Sequence, residues 1–221
     1  MPTRHIKGLI YPDDYFIKFF FKHQLHNKKG LTFLELGCSN GCNLMLPYQF
    51  LNNVVGVDMN DVLIDYANSN FYLLNQVNNY KFFNADMRVF CTNKKNIKAD
   101  VLILANSVYY IPKNDFITLL KDIRKNNLIK TNALFFLRFR ELDHFSNKKG
   151  KRVGENSYIL ENGITGEDGV FCKFYDTFEM IDILKVHLNL KNFQVMKIKY
   201  ENMQKNIKVN NSDVVIWGVI N

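Results

Sequence analysis

Much of what this chain lacks narrows its class. Four cysteines in 221 residues are too few for the disulfide framework of a small secreted scaffold. Cys38 and Cys42 stand close together, but no second pair follows at ligand spacing, so neither zinc nor any other metal is expected. No apolar run reaches the roughly 20 residues of a membrane helix, and Phe19-Phe20-Phe21 is closed off by Lys18 and Lys22. Met1-Pro2-Thr3-Arg4-His5 is followed by no segment of signal-peptide type, so a cytoplasmic protein is expected. Two nucleotide signatures are missing as well. Gly37 and Gly41 do not have the glycine offsets of a dinucleotide fingerprint, and no Lys-Ser or Lys-Thr pair follows Gly41 as in a triphosphate loop. There are no internal repeats.

What is present suits a well-filled core. Hydrophobic residues make up 47% of the chain, with 19 Phe and 11 Tyr, enough for one domain with a sheet covered on both faces. The net charge of +8 raises nucleic acid as a partner. The lysines are dispersed, however, and an excess of Asn, Lys, Phe and Tyr also follows from base composition. The run Lys148-Lys149-Gly150-Lys151-Arg152 is the localised basic feature.

The stretch Phe33 to Asn43 reads as a buried strand, a glycine-bearing turn and a helix start, a geometry that brings backbone N–H groups to a ligand. Val54-Val55-Gly56-Val57-Asp58 is a second buried strand ending in a carboxylate, suited to accept from two ribose hydroxyls. Tyr80 to Met87 is a third, ending near Asp86. Each acid taken alone reads as a helix cap or turn former; three acids at three successive strand ends need a shared reason.

Glu35-Leu36-Gly37-Cys38-Ser39-Asn40-Gly41 resembles the first motif of the class I S-adenosylmethionine (SAM)-dependent methyltransferases, with Ser39 in place of the middle glycine. The turn accepts a serine there if its dihedrals are ordinary. The resemblance implies that Gly37, Cys38, Ser39 and Gly41 pass under the methionine part of the cofactor S-adenosyl-L-methionine, and that Glu35 holds its amino group. It implies further that Asp58 holds the ribose, that Asp86 and the Met87 N–H read the adenine, and that Met59 and Met87 cover its faces. Asn106, after the fourth strand, joins this set.

The remaining segments follow the same plan. Asp13 or Asp14 caps a helix carrying Phe16, Phe19 and Phe20, ended by Gly30. A crossover helix over about 43–51 contains Pro47, which must sit in its first turns or bend it. Asn60 or Asp61 caps the next helix, and the crossover at 88–98 is short and polar. Ala99–Asn106 is a strand apolar throughout, as one covered on both faces should be. Pro112 opens a helix with Phe116, Leu119, Leu120 and Ile123; a strand at 133–140 follows. Residues 141–174 have weak periodicity and many glycines, and a loop of that length is uncommon unless functional. Thr177 caps a helix, and strands at 193–200 and 214–220, joined by a polar segment of about a dozen residues, read as antiparallel. The expected fold is α/β, a doubly wound seven-stranded, mostly parallel sheet with strand seven antiparallel. Residues 1–221 form a single domain, 1–29 a covering helix region and 141–174 an acceptor lid.

Asn106-Ser107-Val108-Tyr109-Tyr110-Ile111-Pro112 resembles the family's small-metabolite branch. Tyr109 and Tyr110 are candidates to orient an acceptor, with at least one of them expected to be core packing. His144 is the candidate general base. Arg138 and Arg140 alternate on one face of the fifth strand, and guanidinium forks suit an anionic acceptor. Glu141 and Asp143 are alternative partners for them. Lys149 and Tyr158 in the lid and Tyr11 before the first helix complete the acceptor set, with Arg4 and His5 as further covers. A small-molecule acceptor, anionic or sugar-linked, is expected, with nucleic acid a weaker expectation and no membrane partner. An RNA or protein methyltransferase and a non-catalytic SAM-binding protein are the alternatives.

Overall fold

The structure is a computed structural model and describes residues 5–221; Arg4 lies outside them. Its first helix, α1 (Asp14–Lys22), begins where the Asp13 carboxylate accepts from the Tyr15 and Phe16 N–H groups, satisfying donors the helix leaves open. Phe16, Phe19 and Phe20 fall on one stripe and are fully buried, against Phe136, Trp217 and Phe33 of the sheet. Burying each phenylalanine contributes roughly 2–3 kcal/mol before the cost of ordering it.

Five parallel strands follow: β1 (Thr32–Leu36), β2 (Asn53–Asp58), β3 (Tyr80–Asn84), β4 (Ala99–Ala105) and β5 (Ile129–Arg140). Between them run α2 (Cys42–Gln49), α3 (Asp61–Leu74), α4 (Met87–Asn93) and α5 (Lys113–Lys125). Pro47 stands beyond the first turn of α2, which ends two residues later at Gln49. After β5 the chain forms β6 (Gly150–Gly154), β7 (Ser157–Leu160) and β8 (Phe171–Lys173), then α6 (Thr177–Leu188), β9 (Leu190–Gln204) and β10 (Ile207–Ile220).

The main sheet has the order β3-β2-β1-β4-β5-β10-β9, with β10 antiparallel to both neighbours. This is the expected doubly wound, seven-stranded arrangement. The order reverses between β1 and β4, which places a ligand crevice beyond the carboxyl ends of these strands. β4 is buried on both faces except at Asp100, as its apolar run requires.

Two expectations are corrected. Residues 141–174 are not a structureless loop: they contain the antiparallel sheet β6-β7-β8. Its strands are only 3–5 residues long, too short for alternation to show above the glycines. Nor does a dozen-residue segment join the last strands. β9 and β10 run as a long ribbon turned by Lys205-Asn206, both at positive φ (48° and 60°), the twist-matched geometry of a two-residue hairpin. The polar residues on either side of it are ladder residues of an exposed ribbon.

Candidate active site

The turn after β1 is built from left-handed residues. Gly37 has φ 82° and Gly41 φ 75°, and a Cβ on Gly37 would stand 2.3 Å from that of Ser107. Ser107 itself is pinned by its hydroxyl, which donates to the Leu36 carbonyl at 2.7 Å. Ser39 is also left-handed, with φ 51°, so its dihedrals are not the ordinary ones expected; it stores a strain that glycine would not. The side chain of buried Asn40 donates to the carbonyls of Lys7 and Leu9, drawing the N-terminal segment across the turn.

A cavity of about 510 Å³ opens at the carboxyl ends of the strands. It is lined by Gly37, Val57, Asp58, Met59, Asn60, Leu63, Ala85, Asp86, Met87 and Arg88 from the ends of β1, β2 and β3 and the turns and helix starts after them, and by Ser107, Tyr110, Ile111, Glu167 and Val170 from beyond β4 and from the 141–174 segment. Six expected residues thus meet here: Gly37, Asp58, Met59, Asp86, Met87 and Tyr110. The Asp58 oxygens accept from the Ser39 N–H (2.8 Å) and the Asn60 N–H (3.0 Å). Both keep acceptor capacity, since a carboxylate offers about four lone-pair positions. Asp86 caps α4 and is also bound by Arg88 at 2.6 Å; Arg88 holds it below the usual carboxylate range against the effect of burial. Arg88 continues to Asp115 at 2.6 Å. Met59 is largely exposed at the rim.

Glu35 is buried within β1 behind the turn. One of its oxygens accepts from the Asn43 amide at 2.7 Å, while the other has no partner. Burial, reinforced by Asp13 and Asp58, pushes its carboxyl up to about 8, against the pull of the Asn43 hydrogen bond. A buried carboxyl with an open oxygen fits a cation, and SAM carries one in its amino group. Cys38, Ser39, Gly41 and Asn106 do not line the cavity. Cys38 is buried, and Asn106, at φ 56°, donates its N–H to the Arg138 carbonyl.

The acceptor candidates divide. Arg138 is sequestered: it binds Asp13 at 2.6 Å and Asp213 at 2.5 Å. Arg140 lies 4.5 Å over the Tyr109 ring and binds Glu167 at 2.8 Å. Glu141 and Asp143, just past the end of β5, pair instead with Lys197 and Lys199 of β9, one strand beyond β10. Tyr109 is buried, as expected of one tyrosine of the pair, and burial pushes its hydroxyl up to about 12; Tyr110 reaches the cavity and donates to Glu167. His144 is buried; its Nδ1 accepts from the Ser146 N–H, and burial with Arg140 and Arg138 nearby lowers it to about 3. Tyr158 packs in the core, while Lys149, Tyr11 and His5 are exposed away from the lining residues. Among the described residues no group of three or more His, Cys, Asp or Glu is placed to hold a metal, and no helix is long and apolar enough to cross a membrane. Glu167, Val170 and Ile111 were not singled out; Glu167 lies in the segment of weak periodicity, and only the fold brings it to Arg140.

Residues 33–126, β1 through α5, match the family described as "Methyltransferase domain". The fold is shared with a SAM-dependent methyltransferase of Methanosarcina mazei (TM-score 0.67, 15% identity, 89% of this chain and 97% of that one). It is also shared with magnesium protoporphyrin IX methyltransferase of Synechocystis with bound SAM (TM-score 0.57, 14% identity, 95% and 77%). Curated dITP/XTP pyrophosphatases of Borreliella burgdorferi and Borrelia garinii are 26% identical over 142 residues, 58% of this chain; the chain spans 66% of their length. That likeness is too low to set a family. The match places a methyltransferase domain over residues 33–126, and the fold around it is one shared with SAM-dependent methyltransferases.

Proposed function

We propose that this chain is a SAM-dependent methyltransferase acting on a small acceptor that carries an anionic group. The observation that carries the reading is one cavity lined by Gly37, Asp58 and Asp86 together with Tyr110 and Glu167, the carboxylate bound by Arg140. On this reading Glu35 receives the cofactor's amino group, Asp58 the ribose hydroxyls, and Asp86 with the Met87 N–H the adenine. The Met87 N–H is free for this role, since the first turn of a helix leaves its donors without intrahelical partners. Bound SAM supplies a methyl group on a sulfonium sulfur, which is open to in-line displacement.

The chain's contribution is alignment and exclusion of water. Residues 141–174 act as the acceptor lid, seated on the core through Tyr158, Leu160 and Cys172 and facing the cavity with Glu167 and Val170. The segment before α1 covers the cofactor turn through Asn40. Neither His144, near 3, nor Tyr109, near 12, is matched to take a proton at neutral pH. The acceptor atom is therefore nucleophilic as it arrives, as in an amine, a thiolate or a carboxylate.

Calorimetry with S-adenosylhomocysteine should show a single site, lost or much weakened in Asp58→Ala. A metabolite screen that follows S-adenosylhomocysteine formation, with and without chelator, should find turnover that survives chelation. Cofactor binding with methyl transfer confined to RNA or protein would overturn the small-molecule assignment, and no cofactor binding would overturn the whole reading.

A further inference from the structure

Arg140 occupies a built cradle. Its guanidinium stacks on Tyr109 at 4.5 Å and stands 6.0 Å from the Tyr110 ring. Its side chain is only 13% exposed, and the anion that neutralises it is the chain's own Glu167, 17% exposed. One Glu167 oxygen receives Arg140 Nη2 at 2.8 Å and the Tyr110 hydroxyl; the other receives the Thr165 hydroxyl at 2.9 Å. We propose that this cradle is the acceptor's carboxylate subsite and that Glu167 is its resident occupant, displaced when a monocarboxylate acceptor enters. The proposal deepens the small-acceptor reading and rests on it.

Three observations support it. First, Glu167 is carried by a segment that holds its own shape. Asp168 accepts from the N–H groups of Asn162 and Gly163, and Asn162 accepts from those of Ile164 and Thr165. Gly163 within it and Gly169 after it have φ 62° and 83°, and the segment is tied to the body there by Lys205 on the Gly163 carbonyl and by the Gly169 N–H on the Leu160 carbonyl, so Glu167 leaves either by turning its side chain away or by release of these ties. Second, the site faces the cavity: Tyr110, Ile111, Glu167 and Val170 all line it, and a carboxylate seated there has an apolar wall for the rest of its body. Third, the charges select the class. Arg138 is already matched by two carboxylates, Asp13 and Asp213, which leaves one positive charge for one negative. Exchanging Glu167 for an acceptor carboxylate preserves that balance, whereas a dianionic phosphate would leave excess negative charge where water is scarce.

The test uses 4-fluorobenzoate, followed by fluorine NMR on the full chain without cofactor. Glu167→Ala should bind it at least tenfold more tightly than the wild type, because the internal competitor is gone. Glu167→Gln, which keeps a hydrogen-bonding side chain and loses the charge, should show a smaller gain in the same direction. It serves as the reporter if the alanine variant does not melt cooperatively. Glu167→Gln combined with Arg140→Met should lose the gain. Neutral 4-fluorobenzamide and inorganic phosphate, the latter by phosphorus NMR, should gain nothing. Equal affinity for 4-fluorobenzoate in wild type and both variants would overturn the proposal, and so would an equal gain for the amide or for phosphate. Because the titration needs no cofactor, its failure is distinguishable from that of the methyltransfer reading, which is judged separately by S-adenosylhomocysteine binding.

Discussion

On the cavity wall built from the β2 and β3 ends the acids are held across shorter separations: Asp58 by N–H groups 19 and 2 residues away, Asp86 by Arg88, 2 residues away. Behind the wall built from the β4 end and residues 141–174 the partners are remote, with Arg138 reaching Asp13 and Asp213 across 125 and 75 residues and Arg140 reaching Glu167 across 27. One wall is a set of strand-end turns whose geometry local sequence dictates. The other exists only once distant elements have packed. The first should therefore tolerate loss of a charge at the cost of ligand affinity, while the second should lose stability.

The sharpest contrast is Arg138→Ala. It strands two largely buried carboxylates, and removing one partner of such a group costs about 3–5 kcal/mol. Chemical denaturation should show this, with part of the loss recovered on adding Asp13→Asn, which removes one stranded charge and keeps a helix cap. A stability unchanged by Arg138→Ala would erase the distinction between the walls. Next comes Gly37→Ala, where a left-handed φ and a 2.3 Å approach to Ser107 should together lower stability by about 3 kcal/mol and abolish cofactor binding. This is the one place where the local wall is as brittle as the remote one.

Glu35 is sharpened by pH. Its carboxyl is raised to about 8 in the folded protein, against about 4.3 in the unfolded chain. The folded state thus holds the extra proton between these values. The associated stability is complete below about 4.3 and is lost as pH rises through about 8. Melting temperatures should accordingly fall from pH 5 to pH 9 without cofactor, and Glu35→Gln should flatten that slope; parallel profiles would mean that Glu35 is not the group responsible.

Asp58→Ala should cost about 2 kcal/mol of S-adenosylhomocysteine affinity in calorimetry, with the melting temperature nearly kept. The smallest effect belongs to Asp86→Asn, under about 1 kcal/mol of affinity, since one acceptor oxygen survives. A loss there as large as for Asp58 would move the weight of recognition to the adenine.

The strand order and the acids Asp58 and Asp86 that line the cavity were legible because they rest on short-range signals: continuous apolar runs, a glycine turn, and a carboxylate at the strand end. Ser39 was legible as a departure, but not its left-handed backbone, which no local pattern declares. The wall beyond β4 was readable only in part. Arg138 and Arg140 were picked out by alternation, yet nothing near them in sequence names Asp13, Asp213 or Glu167. His144 stood out by residue type alone, and its burial behind Arg140 comes from packing with Phe145 and Phe174. The β6-β7-β8 sheet escaped because its strands are shorter than the window in which a period of two can be seen.

The position of β10 carries a consequence for how the chain is made. It is the last strand in chain order, yet it lies between β5 and β9, and it supplies Asp213 to Arg138. During vectorial synthesis β1 through β4 can pair as each emerges, so the wall at the β2 and β3 ends can form early. Until β10 arrives, β5 presents an open edge and Arg138 has only Asp13. Contacts of such long sequence separation are slow to form, and an unpaired edge is the surface on which nascent chains associate. A ribosome-bound intermediate halted before residue 207 would therefore have a near-complete β1–β4 half and an adhesive β5 edge.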